Sequence, residues 1–178
     1  MKLTYYPRKS HNDANDKTTN KAYSDVWMTP ESFAHSVVNH FKPTGRVLEP
    51  CCGTGEGGYI THPAFTDWCE VRKDKDFFDW EDKVDWIITN PPYSIIVQML
   101  EGSLVVADNV VFAPIKINEI MSSKKRNRMV KALGHGIKEV VIIDTPPKPF
   151  PQTGFQYWII HWKRGHKGDI TFTDWRAK

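Results

Sequence analysis

Short apolar runs alternate with amphipathic segments along most of this 178-residue chain. A helix is predicted from Thr29, its N-cap, to Lys42, a second from Ser94 to about Val106, and a third before Gly134. The apolar runs predict seven strands, at residues 46–49, 68–72, 76–78, 84–90, 109–115, 138–144 and 155–162. Because strands and helices alternate, we predict an α/β fold with a mostly parallel sheet.

The polarity of the two ends sets the predicted domain boundaries. Residues 1–24 are polar, with "SHNDANDKTTNK" near their middle, and are predicted to form a flexible N-terminal arm. Residues 25–165 are predicted to form a single domain, and residues 166–178 a C-terminal tail that adds a little edge structure. Sheets of this class bind ligands outside the carboxyl ends of their strands, so motifs at those ends are the ones that matter.

Charge and cysteine usage narrow the class of protein only slightly. The net charge of +3 is a weak indication of an anionic partner. Lys124, Lys125, Arg126 and Arg128 stand close together with no acid among them, which fits either a solvated helix face or a phosphate-binding segment. The three cysteines lack metal-ligand spacing, so buried thiols are expected and no metal site. No apolar run reaches the ~20 residues of a membrane span, and a cytoplasmic protein is predicted.

A glycine-rich turn follows the first predicted strand. Gly53, Gly55 and Gly58 match G-x-G-x-x-G, a spacing found in dinucleotide sites and also in plain strand-to-helix turns. Glu49 ends the strand before this turn, where a carboxylate can hold a cationic ligand. Glu70 ends the next strand, where an acid can accept hydrogen bonds from both ribose hydroxyls of an adenosine. Because of these two acids, a cationic adenosine ligand is favoured over NAD.

A second motif follows the fourth predicted strand, where "VDWIITNPPYS" stops on Asn90-Pro91-Pro92-Tyr93. Together with the glycine turn, this tetrapeptide resembles the class I S-adenosylmethionine-dependent methyltransferases, in the branch that modifies amino groups. The resemblance covers about residues 25–162. It implies a Rossmann-like seven-stranded sheet, mostly parallel with an antiparallel last strand, and helices on both faces. It also implies S-adenosyl-L-methionine as the cofactor.

The resemblance assigns cofactor-binding residues motif by motif. Asp74 competes for the acidic roles, because the segment between the second and fourth strands is short. The implied residues are Trp27, Met28, Thr29 and Pro30 of an upstream Thr-Pro element, Glu49, Pro50, Cys51, Gly53, Thr54 and Gly55 of the first motif, Glu70 of the second, Asp76 and Phe77 of the third, and Asn90 of the fourth.

The resemblance makes the tetrapeptide catalytic, and the chemistry of its residues agrees. An exocyclic amine conjugated to a ring is a poor nucleophile because its lone pair is delocalised. The Asn90 side-chain oxygen and the Pro91 carbonyl can accept its two N–H bonds, and both bonds strengthen as the nitrogen gains positive charge. Pro91 and Pro92 hold these acceptors in place, and Tyr93 offers a ring face for stacking. In-line methyl transfer then needs neither a metal nor a covalent intermediate.

The order of the motifs resembles that of small phage-type DNA adenine-N6 methyltransferases. The implied function is methyl transfer to the N6 amine of adenine in DNA, in the cytoplasm of a bacterium or a phage-infected host. Such a substrate would explain the basic segment Lys124, Lys125, Arg126 and Arg128. The target base must leave its stack, and Phe150 or Phe155 is a candidate to cover its far face.

Alternatives to that substrate and role stay open. The chain is too short for a separate target-recognition domain, so recognition by a second copy of the chain or a partner subunit is an option. A single-stranded or RNA target is another. A non-catalytic methyltransferase-like subunit that binds nucleic acid is a third, although the intact motifs favour activity. A protein glutamine methyltransferase is disfavoured, because the helical substrate domain expected before the motifs is missing.

Overall fold

The computed structural model describes residues 27–55, 57–116, 123–146, 148–150, 152 and 156–176. The predicted N-terminal arm and Phe155 lie outside these residues. None of the helices in the described ranges has the length and apolar character that a membrane crossing needs. In chain order, the helices and strands of the described residues are α1 (Glu31–Phe41), β1 (Val47–Glu49), β2 (Asp67–Trp68), β3 (Val84–Thr89), α2 (Ile96–Val106), β4 (Ala107–Lys116), α3 (Lys124–Ala132), β5 (His135–Ile142), β6 (Tyr157–Arg164) and β7 (Thr171–Asp174).

The seven strands form one mixed sheet in the order β2-β1-β3-β4-β6-β5-β7. Strand β1 pairs in parallel with β2 and β3, β3 with β4, and β5 with β7. Strand β6 is antiparallel to both of its neighbours, β4 and β5. The predicted fold class is therefore confirmed, including the antiparallel orientation of the strand predicted at residues 155–162.

Two of the predicted strands differ in the structure, and side-chain caps explain both. The strand predicted at residues 76–78 is wrong, because Asp76 Oδ1 accepts a hydrogen bond from the Phe78 N–H at 3.0 Å and caps a 3-10 turn instead. Strand β2 ends early for the same reason, since Glu70 Oε1 accepts from the Arg72 N–H at 3.1 Å. The seventh strand is β7, from the segment predicted as a tail.

Helices cover both faces of the sheet, as predicted. Alternate residues of β4 divide between two apolar clusters, with Val110 and Phe112 on one face and Val111 and Ala113 on the other. Helix α1 packs on the Val111 face, whereas α2 and α3 pack on the Val110 face. The segments that lead into α1 and α2 therefore approach the carboxyl edge of the sheet from opposite sides.

The predicted ends of α1 are partly correct. Lys42 adopts a left-handed conformation with φ of 48° and donates its N–H to the Val38 carbonyl, which ends the helix as predicted. The predicted N-cap at Thr29 is wrong, because the cap residue is Pro30 and no side chain caps the helix. Thr29 is instead buried beside the glycine-rich turn.

Candidate active site

A cleft of about 220 Å³ opens at the carboxyl ends of β1 and β3. Apolar and polar side chains from several chain segments meet there, which is the usual composition of a small-molecule site. Its lining comprises Trp27, Met28, Thr29, Glu49, Pro50, Cys51, Cys52, Gly53, Gly57, Gly58, Tyr59, Glu70, Val71, Arg72, Asp76, Phe77, Phe78, Asn90, Pro91, Pro92, Tyr93, Ile95 and Met99.

The cleft brings together most of the residues that the sequence singled out. All four members of the Asn90–Tyr93 tetrapeptide line it, as do the predicted acids Glu49, Glu70 and Asp76. Pro30, Thr54 and Gly55 lie outside the lining, and so do Lys124, Lys125, Arg126 and Arg128. Asp74, the competing acid, is also outside it and adopts a left-handed conformation with φ of 56°.

A positive φ and close packing against residues 28 and 29 explain two of the glycines. Gly53 has a φ of +63°, and a Cβ there would lie 2.7 Å from Met28 Sδ. Gly58 has a φ of +70°, and its Cβ would lie 3.3 Å from the Thr29 carbonyl oxygen. The segment that carries Met28 and Thr29 therefore packs directly on the turn after β1. A side chain at Gly58 would press on its backbone, and one at Gly53 would displace the Met28 side chain.

Glu49 is a buried carboxyl group at the bottom of the cleft, with 2% of its surface exposed. Its Oε1 accepts hydrogen bonds from the Cys51 N–H at 2.9 Å and from the Thr89 hydroxyl at 2.5 Å. Burial nevertheless raises the pKa of Glu49 to about 8, and the nearby charge of Glu70 acts in the same direction. A cationic group bound beside Glu49 would favour the carboxylate form.

Glu70 and Asp76 lie on the turn that follows β2. One oxygen of each carboxylate accepts a hydrogen bond from a backbone N–H, of Arg72 and Phe78 respectively, so each side chain is fixed where it lines the cleft. Phe77, between them and α2, is buried. Within the described ranges, no three His, Cys, Asp or Glu side chains are grouped so that they could hold a metal ion.

Asn90 follows β3 directly, and one hydrogen bond fixes its side chain. Its Nδ2 donates to the backbone carbonyl of Trp27 at 2.9 Å. Because a carbonyl can only accept, this contact must be made by the amide nitrogen, and the orientation of the amide follows. Asn90 Oδ1 is buried and has no hydrogen-bond partner among the described residues. A buried acceptor left unpaired costs roughly 1–3 kcal/mol, which a donor group on a ligand would recover.

A bulge in β4 fixes the position of Tyr93. The register between β4 and β6 shifts between Phe112 and Ile115, and the residues between them include Pro114, which cannot donate to the ladder. The Pro114 carbonyl accepts the Tyr93 hydroxyl at 3.0 Å, and the Ala113 carbonyl accepts the Tyr59 hydroxyl at 2.5 Å. Tyr93 is thus anchored at both its backbone and its hydroxyl end.

Three residues at the site carry no local sequence signal. Thr89, Tyr59 and Lys116 look like ordinary strand or turn residues, and only the folded chain gives them partners. Thr89 contacts Glu49, Tyr59 contacts β4, and the Lys116 ammonium lies 4.8 Å from the centre of the Tyr93 ring. A cation at the face of an aromatic ring is attracted by its π electrons.

The basic residues predicted to contact nucleic acid lie on α3. Lys124, Lys125 and Arg128 are exposed. Arg126 differs, because it is half-buried and its Nη1 has no hydrogen-bond partner in the part of the chain that the structure describes. The first turn of α3 contains no acid, and Ser123 caps it.

The fold is that of the class I S-adenosylmethionine-dependent methyltransferases. A Listeria monocytogenes protein assigned to that class superposes on 83% of this chain with a TM-score of 0.59 and 12% identity. The modification subunit assigned to a type I restriction enzyme of Vibrio vulnificus YJ016 superposes on 90% of it, with a TM-score of 0.57 and 13% identity. A type I restriction-modification system component also covers 90%, with a TM-score of 0.55 and 12% identity.

These likenesses establish the fold. This chain spans 65% of the Listeria protein and 48% and 46% of the other two proteins. No protein-family model matches the sequence, and no curated protein matches it.

Proposed function

We propose that this chain transfers the methyl group of S-adenosyl-L-methionine to the exocyclic N6 amine of adenine in DNA. The observation that carries the proposal is the Asn90 side chain, whose Nδ2 is held by the Trp27 carbonyl while its buried Oδ1 lacks a partner among the described residues. An acceptor held in this way at the edge of a cleft suits the N–H of an amine. It does not suit a substrate oxygen without a hydrogen.

The other residues of the cleft fit the proposed cofactor. The glycine turn after β1 and Met28, which packs on Gly53, both line the cleft where the adenosine derivative would bind. The buried Glu49 carboxyl suits a cation, and Glu70, which is also buried, lines the cleft where ribose hydroxyls would donate. The bound cofactor would supply a methyl group made electrophilic by a sulfonium.

The tetrapeptide would activate the amine of the substrate. Asn90 Oδ1 and the Pro91 carbonyl would accept its two N–H bonds, which frees a lone pair otherwise delocalised into the ring. Both acceptors strengthen as positive charge grows on the nitrogen, so they lower the barrier rather than merely bind the substrate. The fixed φ angles of Pro91 and Pro92 keep the acceptors in position before the substrate arrives.

The distribution of positive charge supports a nucleic acid as the substrate. Lys124 and Lys125 occupy the first turn of α3, where the helix dipole disfavours cations and favours anions. Bound phosphates would offset that cost. Lys116 lies beside the ring of Tyr93, where it could meet the phosphate of a nucleotide whose base stacks on that ring.

DNA is preferred over RNA because of the motif order and because two structures with this fold come from restriction-modification systems. We further propose that a second copy of the chain or a partner subunit contributes target recognition. The proposal places the protein in the cytoplasm.

Tritiated methyl transfer tests the proposed function. The purified chain is supplied with labelled cofactor and, in parallel, duplex DNA, single-stranded DNA, RNA and protein, and the labelled nucleoside is identified by chromatography. We expect N6-methyladenine in DNA, and no label with Asn90→Ala. If only RNA is labelled, the substrate would be RNA and not DNA. Nucleic-acid binding with no transfer to any substrate would indicate a non-catalytic subunit.

A thermal-stability measurement tests the cofactor separately. S-adenosylmethionine should raise the melting temperature of the protein, and NAD should not, because ligands that bind only the folded state stabilise it. Stabilisation by NAD alone would reject the methyltransferase assignment.

A further inference from the structure

We propose that the indole of Trp27 forms the second wall of the pocket for the acceptor ring, opposite Tyr93. The proposal rests on the proposed function and adds the residue that makes the pocket selective for a flat ring. Trp27 is 37% exposed, and among the described residues only four large apolar side chains are at least 36% exposed. Trp27 and Val71 are the two of these four that line the cleft, and of these two only Trp27 has a ring.

The contact with Asn90 places Trp27 next to the reacting group. The Trp27 carbonyl accepts the hydrogen bond that orients the Asn90 amide, at 2.9 Å. A substrate amine that reaches Asn90 Oδ1 must therefore lie close in space to the Trp27 backbone. A pocket for such an amine has Trp27 as an immediate neighbour.

The two aromatic residues lie next to helices that cover opposite faces of the sheet. Trp27 leads into α1, which covers one face of the sheet, and Tyr93 leads into α2, which covers the other face. Asn90 follows β3, and it is close to both residues, since it bonds to Trp27 and precedes Tyr93 by three positions. A flat ring that points its amine at Asn90 would enter between the two aromatic side chains, with one face toward each.

A buried aromatic pair holds the indole in place. The Phe150 ring stacks on Trp27 with 6.5 Å between centroids and an interplanar angle of 25°. Phe150 is 1% exposed and contacts the Tyr157 ring edge-on at 6.2 Å. Phe150, predicted above to cover the base, is thus too deeply buried to do so and supports Trp27 instead. One face of the indole is backed by protein, which leaves the other for a ligand.

Two substitutions at Trp27 and one control test the proposal. Steady-state transfer to unmethylated DNA is measured for Trp27→Ala, Trp27→Phe and Phe172→Ala, which removes another exposed aromatic ring far from the cleft. We expect Trp27→Ala to lower kcat/KM for DNA about 5- to 150-fold, the range for the loss of one base–aromatic stack. Cofactor affinity should stay unchanged, Trp27→Phe should restore most of the rate, and Phe172→Ala should behave like the wild type.

A binding measurement keeps the test independent of turnover. A single-stranded oligonucleotide with 2-aminopurine in place of adenine is titrated in the presence of sinefungin, and stacking quenches its fluorescence. Quenching by the wild type and Trp27→Phe, but not by Trp27→Ala, supports the proposal. If Trp27→Ala keeps the wild-type rate and quenching, this inference is overturned while the proposed function stands. The same holds if Trp27→Ala loses cofactor affinity by the same factor as rate, because Trp27 would then belong to the cofactor site. If the wild type neither transfers methyl groups nor quenches, the proposed function falls together with this inference.

Discussion

The Thr89 hydroxyl donates a 2.5 Å hydrogen bond to Glu49 Oε1 and so joins the carboxyl ends of β3 and β1. Thr89 immediately precedes Asn90, so this bond connects the carboxyl group at the bottom of the cleft to the proposed catalytic tetrapeptide. The bond favours the carboxylate form of Glu49, whereas burial favours the neutral form and dominates, which places the pKa at about 8. Near neutral pH, Glu49 is therefore mostly protonated in the protein alone.

Cofactor affinity should depend on pH through Glu49. A bound cation favours the carboxylate, so Glu49 must release its proton, and affinity should rise with pH up to about 8 and then level off. The slope should approach tenfold per pH unit at most, roughly 1.4 kcal/mol. Isothermal titration with S-adenosylmethionine at a series of pH values would measure it.

Glu49→Gln is the matched control, because glutamine cannot ionise. It should bind the cofactor with a flatter pH profile than the wild type and more weakly above pH 8.

The stability of Glu49→Gln should also depend differently on pH. The folded wild type keeps a proton that the unfolded chain releases between 4.5 and about 8, so its free energy of unfolding should fall across that window, and that of the variant should not. If the wild type and Glu49→Gln have identical pH profiles, the pH dependence arises from a group other than Glu49.

Two neighbouring glycines should respond differently to alanine. Gly53 has a φ of +63° and a Cβ there would lie 2.7 Å from Met28 Sδ, so Gly53→Ala should lower the melting temperature by about 2–8 °C and weaken cofactor binding. Gly57 has an extended φ of 165° and open space around it, so Gly57→Ala should leave the melting temperature unchanged. Scanning calorimetry compares the two, and equal losses would contradict the packing argument.

Asn90→Ala should remove the activity without removing the cofactor. Loss of one transition-state hydrogen-bonding group costs roughly 10²–10³ in kcat, and we expect a loss of that order or more. Cofactor affinity by titration should remain near that of the wild type. Asn39→Ala, on the exposed side of α1, removes the same amide far from the cleft and should keep full activity. A rate near that of the wild type in Asn90→Ala would disprove the acceptor role.

The exposed cations of α3 should contribute to nucleic-acid binding. Lys124→Ala with Lys125→Ala should weaken DNA binding and reduce the slope of log K against log salt by about 0.9 for each phosphate that the variant no longer neutralises. The control is Lys163→Ala with Lys167→Ala, which removes the same charge near the amino-terminal ends of the parallel strands. It should leave the slope unchanged. Arg126 is left intact because it is half-buried, and replacing it would disturb packing. Equal slopes in both double variants would indicate that the basic residues of α3 only form a solvated helix face.

Local patterns in the sequence were sufficient to predict the α/β sheet and the motifs at its carboxyl edge. The apolar run before Asn90 and the glycines after Glu49 are adjacent in the chain to the strands that position them, so each motif carries its own structural context. Prediction failed where a side chain changed the local backbone. Asp76 and Glu70 cap turns, which removes one predicted strand and shortens another.

The sequence by itself determined which residues stand at the end of each strand, because strand and motif are contiguous. Only the tertiary structure decided how those ends meet. Asn90 and its partner Trp27 are 63 residues apart, and Thr89 and Glu49 are 40 apart. Such contacts depend on the order of strands in the sheet and on the bulge in β4, and neither leaves a periodic signal in the chain. The same reason explains why the sequence could not show that Phe150 is buried and stacks on the exposed Trp27.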